Sequence, residues 1–302
     1  MSIIEVRNLT KTYGSIKAVV GFSFTSNKGQ ILTLVGPDGA GKTSILRAVC
    51  GLINYDSGQV RIAGFDISRD FEKIKPLLGY MPQSFSLYPD LSVEENLRFY
   101  AGLFGLSPRQ FNEKKQILYE FSGLGPFHHR RAQALSGGMK QKLALSCTLV
   151  HDPEVLVLDE PTTGVDPLSR RQFWDILKKL RSEGSAILVS TPYMDEVESS
   201  DGAIFIYQGS KMAEGTPGEL TEKFKGRVYR VEVEPTSDRV LQLNRIAGIK
   251  ARRFGASVHL YTSADHPIEE YHDLLRQIGI KPDMIAPVRP ELEDTFIQLM
   301  GK

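Results

Sequence analysis

The string Gly36-Pro37-Asp38-Gly39-Ala40-Gly41-Lys42-Thr43 fits the pattern G-x-x-x-x-G-K-[S/T] at every position. Glycines let the backbone turn so that successive N–H groups point into one concavity, which suits phosphate oxygens. A lysine at this position reaches the β- and γ-phosphates of a nucleotide, and the threonine hydroxyl can coordinate Mg²⁺. Asp159-Glu160 is the second reactive pair. Asp159 fits a magnesium-holding carboxylate. Glu160, one residue on, could face a water attacking the γ-phosphorus and act as its general base.

These residues need particular elements to hold them. The apolar run 31–35 predicts a strand ending at Gly36, and a helical pattern follows from Lys42. That strand–loop–helix context separates a phosphate site from an idle glycine-rich turn. The unbroken apolar run 155–158 predicts a strand buried on both faces of a parallel sheet, with Asp159-Glu160 at its C-terminal end, where α/β sheets bind ligands. Further strands are expected at 3–6, 18–24, 59–62, 187–189 and 204–207. Residues 92 to about 150 read as helical. Ser92-Val93-Glu94-Glu95 is a capping box, and Ser107-Pro108 opens the next helix. A helix carrying Phe173, Ile176, Leu177 and Leu180 follows the acidic strand, and a shorter one is expected around 194–198. The alternation is α/β with a parallel sheet.

Composition bounds the rest. Lysine plus arginine number 37 and aspartate plus glutamate 36, a net charge of +1, which excludes a strongly basic coat for nucleic acid. Cys50 and Cys147 cannot form a disulfide framework, which favours a reducing compartment, and both fall on apolar helix faces. Glu5 interrupts the first apolar residues, unlike a signal peptide, and no run approaches the ~20 residues of a membrane span. His128-His129-Arg130-Arg131 reads as a solvated loop. Composition changes near Gly215-Thr216-Pro217. From 227 the order is β-α-β-β-α-β, with strands at 228–233, 249–254, 257–261 and 284–288, helices at 238–247 and 268–278, and a last helix from Pro290 with Leu292, Phe296 and Leu299 inward. That order predicts a small ferredoxin-like domain.

Leu135-Ser136-Gly137-Gly138-Met139-Lys140-Gln141 lies between the phosphate loop and the acidic strand and resembles the signature motif of ABC-transporter ATPases. Ser136 and Gly138 would open a helix whose N-terminus faces a phosphate, with Met139, Leu143, Cys147 and Val150 on its buried face. The resemblance implies a P-loop NTPase cassette over 1–222: an antiparallel β subdomain, a parallel-sheet core and a helical subdomain at about 90–150. An accessory domain then covers 223–302. It also implies ATP and Mg²⁺ as ligands. Gly36, Pro37, Asp38, Gly39, Ala40, Gly41, Lys42, Thr43 and Ser44 would hold the phosphates, and Tyr13 would stack on adenine. Thr43, Gln83 and Asp159 would hold the metal, and Glu160, Gln83 and Lys42 would serve catalysis. In this family the signature residues Ser136, Gly137 and Gly138 face ATP bound on a second cassette, and Asp166 lies in the loop that crosses the interface. One phosphate loop and one signature therefore imply a homodimer or a heterodimer with a second cassette, docked on an integral-membrane permease at the cytoplasmic face. Met139-Lys140-Gln141-Lys142 after the signature, Tyr193-Met194-Asp195-Glu196-Val197, and the closing Pro290-Glu291-Leu292-Glu293-Asp294-Thr295-Phe296 resemble the ABC-2 export class of drug, polysaccharide and multidrug exporters.

One position departs from the family pattern. The switch histidine expected after Thr191 is Pro192, which has neither a side-chain donor nor an N–H. Weak or absent intrinsic hydrolysis is expected, as in one half of an asymmetric exporter, although Glu160 is retained. Three readings follow: an energy-coupling exporter subunit, a regulatory cassette with little turnover, and a soluble ATPase acting on ribosomes or DNA. The +1 charge and single cassette argue against the last.

Overall fold

A computed structural model describes residues 2–84 and 87–301. The chain divides into two compact units, Met1–Pro217 and Gly218–Lys302. The break falls before the helix turn 218–222 rather than at 222/223. In the second unit Leu220 is buried and Thr295 Oγ1 reaches Thr221 O at 3.5 Å.

The first unit is built on a six-stranded sheet in the order Ser210–Gly215, Gly202–Tyr207, Ile31–Val35, Ala186–Thr191, Val155–Asp159, Leu78–Met81. All neighbours are parallel except the Ser210–Gly215 edge, which joins its neighbour as a hairpin. The three central strands are buried at every residue, as their mainly apolar runs dictate, with Thr33, Asp159, Ser190 and Thr191 as the buried polar exceptions. Alternation along them makes two cores. Leu32, Leu34, Val155 and Val157 face the core shared with the helix Lys42–Val49, and Ile31, Leu156, Leu158 and Val189 face the core shared with the helical segment.

An antiparallel sheet packs on the first core, in the order Ile16–Asn27, Ser2–Tyr13, Ser57–Ile62, Phe65–Asp66. Its long hairpin outruns the expected strands at 3–6 and 18–24. The pairing continues through register shifts, with Asn8 at φ 48°, to Tyr13 opposite Ile16. Bulges absorb the break in apolar alternation that made the sequence pattern look short.

The helices Val93–Leu103 and Pro108–Ser122 start on capping boxes at Ser92/Glu95 and Ser107/Gln110. The helix Gly137–Thr148 has no single buried face: 143–147 are all buried, whereas Met139 is half-buried. It lies between the two preceding helices, the helix Pro167–Ser182 and the strand Leu78–Met81, so neighbours cover residues 143–147 on every side. The 128–131 segment is more than a solvated loop. His128 O and Arg130 O accept the first-turn N–H groups of Glu94 and Val93, closing that helix end.

In the second unit the sheet order is Lys250–Phe254, Ser257–Thr262, Arg227–Val231, Ile285–Val288, all antiparallel. With the helices Ser237–Asn244 and His272–Gln277 this is the ferredoxin-like arrangement. The helix expected over 268–278 begins instead as a 3₁₀ turn, Ile268–Tyr271. The last helix, Leu292–Met300, starts at Glu291 as cap rather than at Pro290. Leu292 and Phe296 are buried and Leu299 half-buried. Among the described residues no helix is long and apolar enough to cross a membrane.

Candidate functional site

The strand Ile31–Val35 delivers Gly36 to a crowded corner: a Cβ there would stand 2.2 Å from Ile206 O. Gly41 has φ 107°, and its Cβ would lie 2.3 Å from Ala18 O. Only glycine fits either place. The helix Lys42–Val49 starts at Gly41 without a side-chain cap, whereas Ser92, Ser107, Ser136 and Asp166 each cap their own helices. The first-turn N–H groups of Lys42, Thr43 and Ser44 are therefore left by the sequence for an outside acceptor, at the positive end of the helix. Lys42 is 3% exposed. Its Nζ donates to Gly36 O at 2.8 Å and Pro37 O at 3.2 Å, and pairs with Glu160 Oε1 at 3.1 Å.

Asp159 ends its strand opposite Ser190 of the neighbouring one and is fully buried. Ser190 Oγ donates to Asp159 Oδ1 at 2.7 Å, and Thr43 Oγ1 donates to the same oxygen at 3.2 Å. Asp159 Oδ2 has no hydrogen-bond partner among the described residues. Burial pushes the Asp159 carboxyl above the ordinary carboxylate range; the hydroxyls of Ser190 and Thr43 oppose this, and the Glu160 charge adds to it. A buried carboxylate oxygen without a donor, beside a threonine hydroxyl, is an oxygen-only donor set that fits a small hard dication such as Mg²⁺.

Glu160 adopts φ 47°, the left-handed region that side chains avoid at a cost of about 1–3 kcal/mol. Its N–H donates to both Ser190 Oγ (2.9 Å) and Ser190 O (3.2 Å), so the neighbouring strand holds the strained residue in place. Beyond Lys42, its carboxylate accepts Gln83 Nε2 at 2.9 Å and Thr163 Oγ1 at 3.3 Å. Lys42, Thr43, Gln83, Asp159 and Glu160 thus meet in one network, with Ser190 at its centre. Reading the sequence alone missed Ser190. The available signal was the pair of hydroxyl residues, Ser190-Thr191, at the end of the strand that flanks Asp159.

Other expected site residues stand outside this network. Tyr13 is at the hairpin tip, 46% exposed, with Lys11 Nζ 4.8 Å from its ring centre. Ser136 is exposed and caps its helix by accepting Met139 N–H. Gly138 is buried where a Cβ would stand 2.4 Å from Ser169 Oγ, so the motif's glycine also lets two helices meet. Gly137 is exposed, and a Cβ there would be 3.8 Å from Gly164 O. Asp166 caps the helix Pro167–Ser182 by accepting Ser169 N–H at 2.9 Å, and the Ser169 side chain first, with that N–H second, holds its carboxyl below the usual range. After Pro192, the Tyr193 ring lies under the Arg170 guanidinium at 4.1 Å. Cys50 and Cys147 are buried, and burial raises both thiols, so they belong to the core.

The ABC transporter family model matches residues 19–163. A probable multidrug ABC transporter ATP-binding protein of Escherichia coli, YbhF, is 38% identical over 307 aligned positions, covering 99% of this chain and 52% of that protein. The chain thus spans about half the length of that relative. Nod factor export ATP-binding protein I of Cupriavidus metallidurans is 35% identical over 307 positions, covering 100% of this chain and 98% of the relative. Among solved structures, an ATP-binding subunit of an ABC transporter superposes with a TM-score of 0.67 at 27% identity, over 74% of this chain and 93% of its own.

Proposed function

The chain belongs to the family of ABC transporter ATP-binding proteins, and from that premise we propose that it is the ATP-hydrolysing, energy-coupling subunit of an ABC-2 type exporter acting through a separate membrane permease. The observation that carries this reading is the buried network of Lys42, Glu160, Asp159 and Thr43. In it, Lys42 and the backbone N–H groups of the loop 36–44, apart from Pro37, which has none, hold the ATP phosphates, and Tyr13 meets the adenine. Asp159, Thr43 and Gln83 hold Mg²⁺, which when bound neutralises charge on the β- and γ-phosphate oxygens. Phosphate oxygens offer Lys42 stronger acceptors than Gly36 O and Pro37 O, leaving Glu160 to take a proton from water. The water oxygen bonds to the γ-phosphorus, the bridging P–O bond to the β-phosphate breaks, and ADP departs with that electron pair.

Ser136, Gly137, Gly138 and Asp166 lie outside that network, which agrees with a head-to-tail pair in which they serve ATP held by a second cassette, a copy of this chain or another. The relatives' names, multidrug and Nod factor export, support the exporter class. Association with a permease puts the chain on the cytoplasmic face of the membrane.

A second reading rests on Pro192 and on Tyr193, whose ring is engaged by Arg170. In it this cassette turns over little and its partner does most of the hydrolysis. Purification of the chain with its membrane partner in detergent, followed by a Mg²⁺-ATPase assay, tests both. Glu160→Gln is expected to lower turnover by about 10²–10⁴-fold with ATP still bound. Robust hydrolysis by the chain alone, abolished by that change, removes the second reading. Recovery of the chain only with ribosomes or DNA, or turnover indifferent to Glu160→Gln, removes the first.

A further inference from the structure

A second buried carboxylate lies beyond the phosphate network. Glu196, in the short helix Met194–Val197, is 3% exposed. Thr162 Oγ1 donates to its Oε1 at 2.5 Å, and Thr191 Oγ1 donates to its Oε2 at 2.5 Å. Arg170 Nε stands 3.6 Å from Oε1, ion-paired but past hydrogen-bond reach, and has no hydrogen-bond partner among the described residues. The same guanidinium covers the Tyr193 ring and reaches Asp195 at 3.4 Å.

A buried carboxylate is a poor way to gain cohesion, because desolvation offsets most of the attraction to its partners. Its use lies in specifying geometry, and its partners show which geometry. Thr162 is two residues after Glu160. Thr191 follows Ser190, whose hydroxyl joins Asp159 to the Glu160 N–H. Arg170 is in the first turn of the helix that Asp166 caps, and its N–H donates to Asp166 O. The Thr191 hydroxyl accepts Tyr193 N–H at 3.0 Å, so its own proton is committed to Glu196. One side chain thereby fixes the segment 160–166 against the turn 191–193, where Pro192 contributes no donor of its own.

We propose that Glu196 is a positioning residue that clamps the segment 160–166 to the turn 191–193 and, through Arg170, to the helix capped by Asp166. This keeps the Glu160 carboxylate and the Asp166 loop in register, and it rests on the reading of Glu160 as the hydrolytic base.

The test uses the full chain with Glu196→Gln, and Glu160→Gln in parallel. Hydrogen–deuterium exchange over 160–166 reads the clamp directly, and single-turnover hydrolysis of Mg²⁺-ATP by excess protein reads its consequence. Exchange over 160–166 is expected to rise about tenfold and the single-turnover rate to fall about tenfold, with affinity for a fluorescent ATP analogue changed by less than about twofold. Unchanged exchange over 160–166 overturns the clamp. Should Glu196→Gln not fold, Thr162→Val removes one hydroxyl and carries the same expectation at smaller size. Hydrolysis that survives Glu160→Gln strikes the functional reading instead. Loss of hydrolysis in Glu160→Gln with unaltered exchange in Glu196→Gln strikes the clamp alone.

Discussion

Asp159 in the first unit and Asp294 in the second are both fully buried, yet their surroundings move them in opposite directions. Burial works against ionisation of both. At Asp294 it is outweighed: His259 Nδ1 faces Oδ1 at 3.1 Å, Tyr261 Oη donates to Oδ1 at 2.8 Å and Glu291 N–H donates to Oδ2 at 2.8 Å, so the carboxyl lies below the usual range. At Asp159 burial prevails, because both hydroxyls go to one oxygen and the other has no donor. The complete carboxylate joins the last helix to the strand Ser257–Thr262. The incomplete one opens on the phosphate site. The completed bonds of Asp294 fix the last helix against its strand, whereas the oxygen left short at Asp159 fits a cation.

The largest effect expected from breaking this contrast is at Asp294. Asp294→Ala leaves His259, Tyr261 and the Glu291 N–H without their shared acceptor and should destabilise the second unit by about 3–5 kcal/mol. Urea unfolding followed by hydrogen exchange in the strand Ser257–Thr262 reads this, with nucleotide affinity unaltered. Asp159→Asn should behave oppositely. Stability should change by less than about 1 kcal/mol, while the Mg²⁺-dependent part of ATP affinity falls about tenfold or more, measured by titration with and without the metal. Ser190→Ala removes one of the two donors to Asp159 and one of the two acceptors of Glu160 N–H. A loss of about 1 kcal/mol in thermal unfolding is expected, together with slower hydrolysis.

The smallest effect is acid sensitivity. The Asp294 pKa is lower in the folded state, so its contribution is present above the unfolded value, about 3.9, and is lost as pH falls through the folded one. The raised Asp159 group has the opposite sign: its contribution is present at low pH and lost as pH rises. Below about pH 4 the second unit should therefore weaken before the first. Trp174, the single tryptophan, reports on the first unit by fluorescence, and exchange in Ser257–Thr262 reports on the second.

Much of the fold and part of the site were legible in advance, for local reasons. The run 31–35 followed by Gly36 and Gly41 could hardly be anything but a strand, a tight loop and a helix, since the glycine requirement is settled by neighbouring backbone. The capping box at Ser92 and the helix start at Ser107-Pro108 are legible because each closes within four residues, whereas the Ser107/Gln110 capping box is seen only in the structure. The Asp166 cap on Ser169 N–H is equally local, yet from the sequence Asp166 is assigned only a role across an interface. The ferredoxin-like order of the second unit followed from strand and helix patterns alone. The all-round burial of 143–147 did not, since it depends on which helices surround that one.

The sequence by itself determined the phosphate loop, the acidic strand end and the Pro192 departure, because residue type and short-range spacing specify each of them. Only the tertiary structure decided that Glu160 is ion-paired to Lys42 across more than a hundred residues, and that Ser190 sits opposite Asp159. It alone decided that Glu196 gathers Thr162, Thr191 and Arg170, and that Asp294 meets His259. Those contacts depend on strand register and on the packing of distant segments, and no local pattern encodes which buried acid will find its donors and which will be left without one.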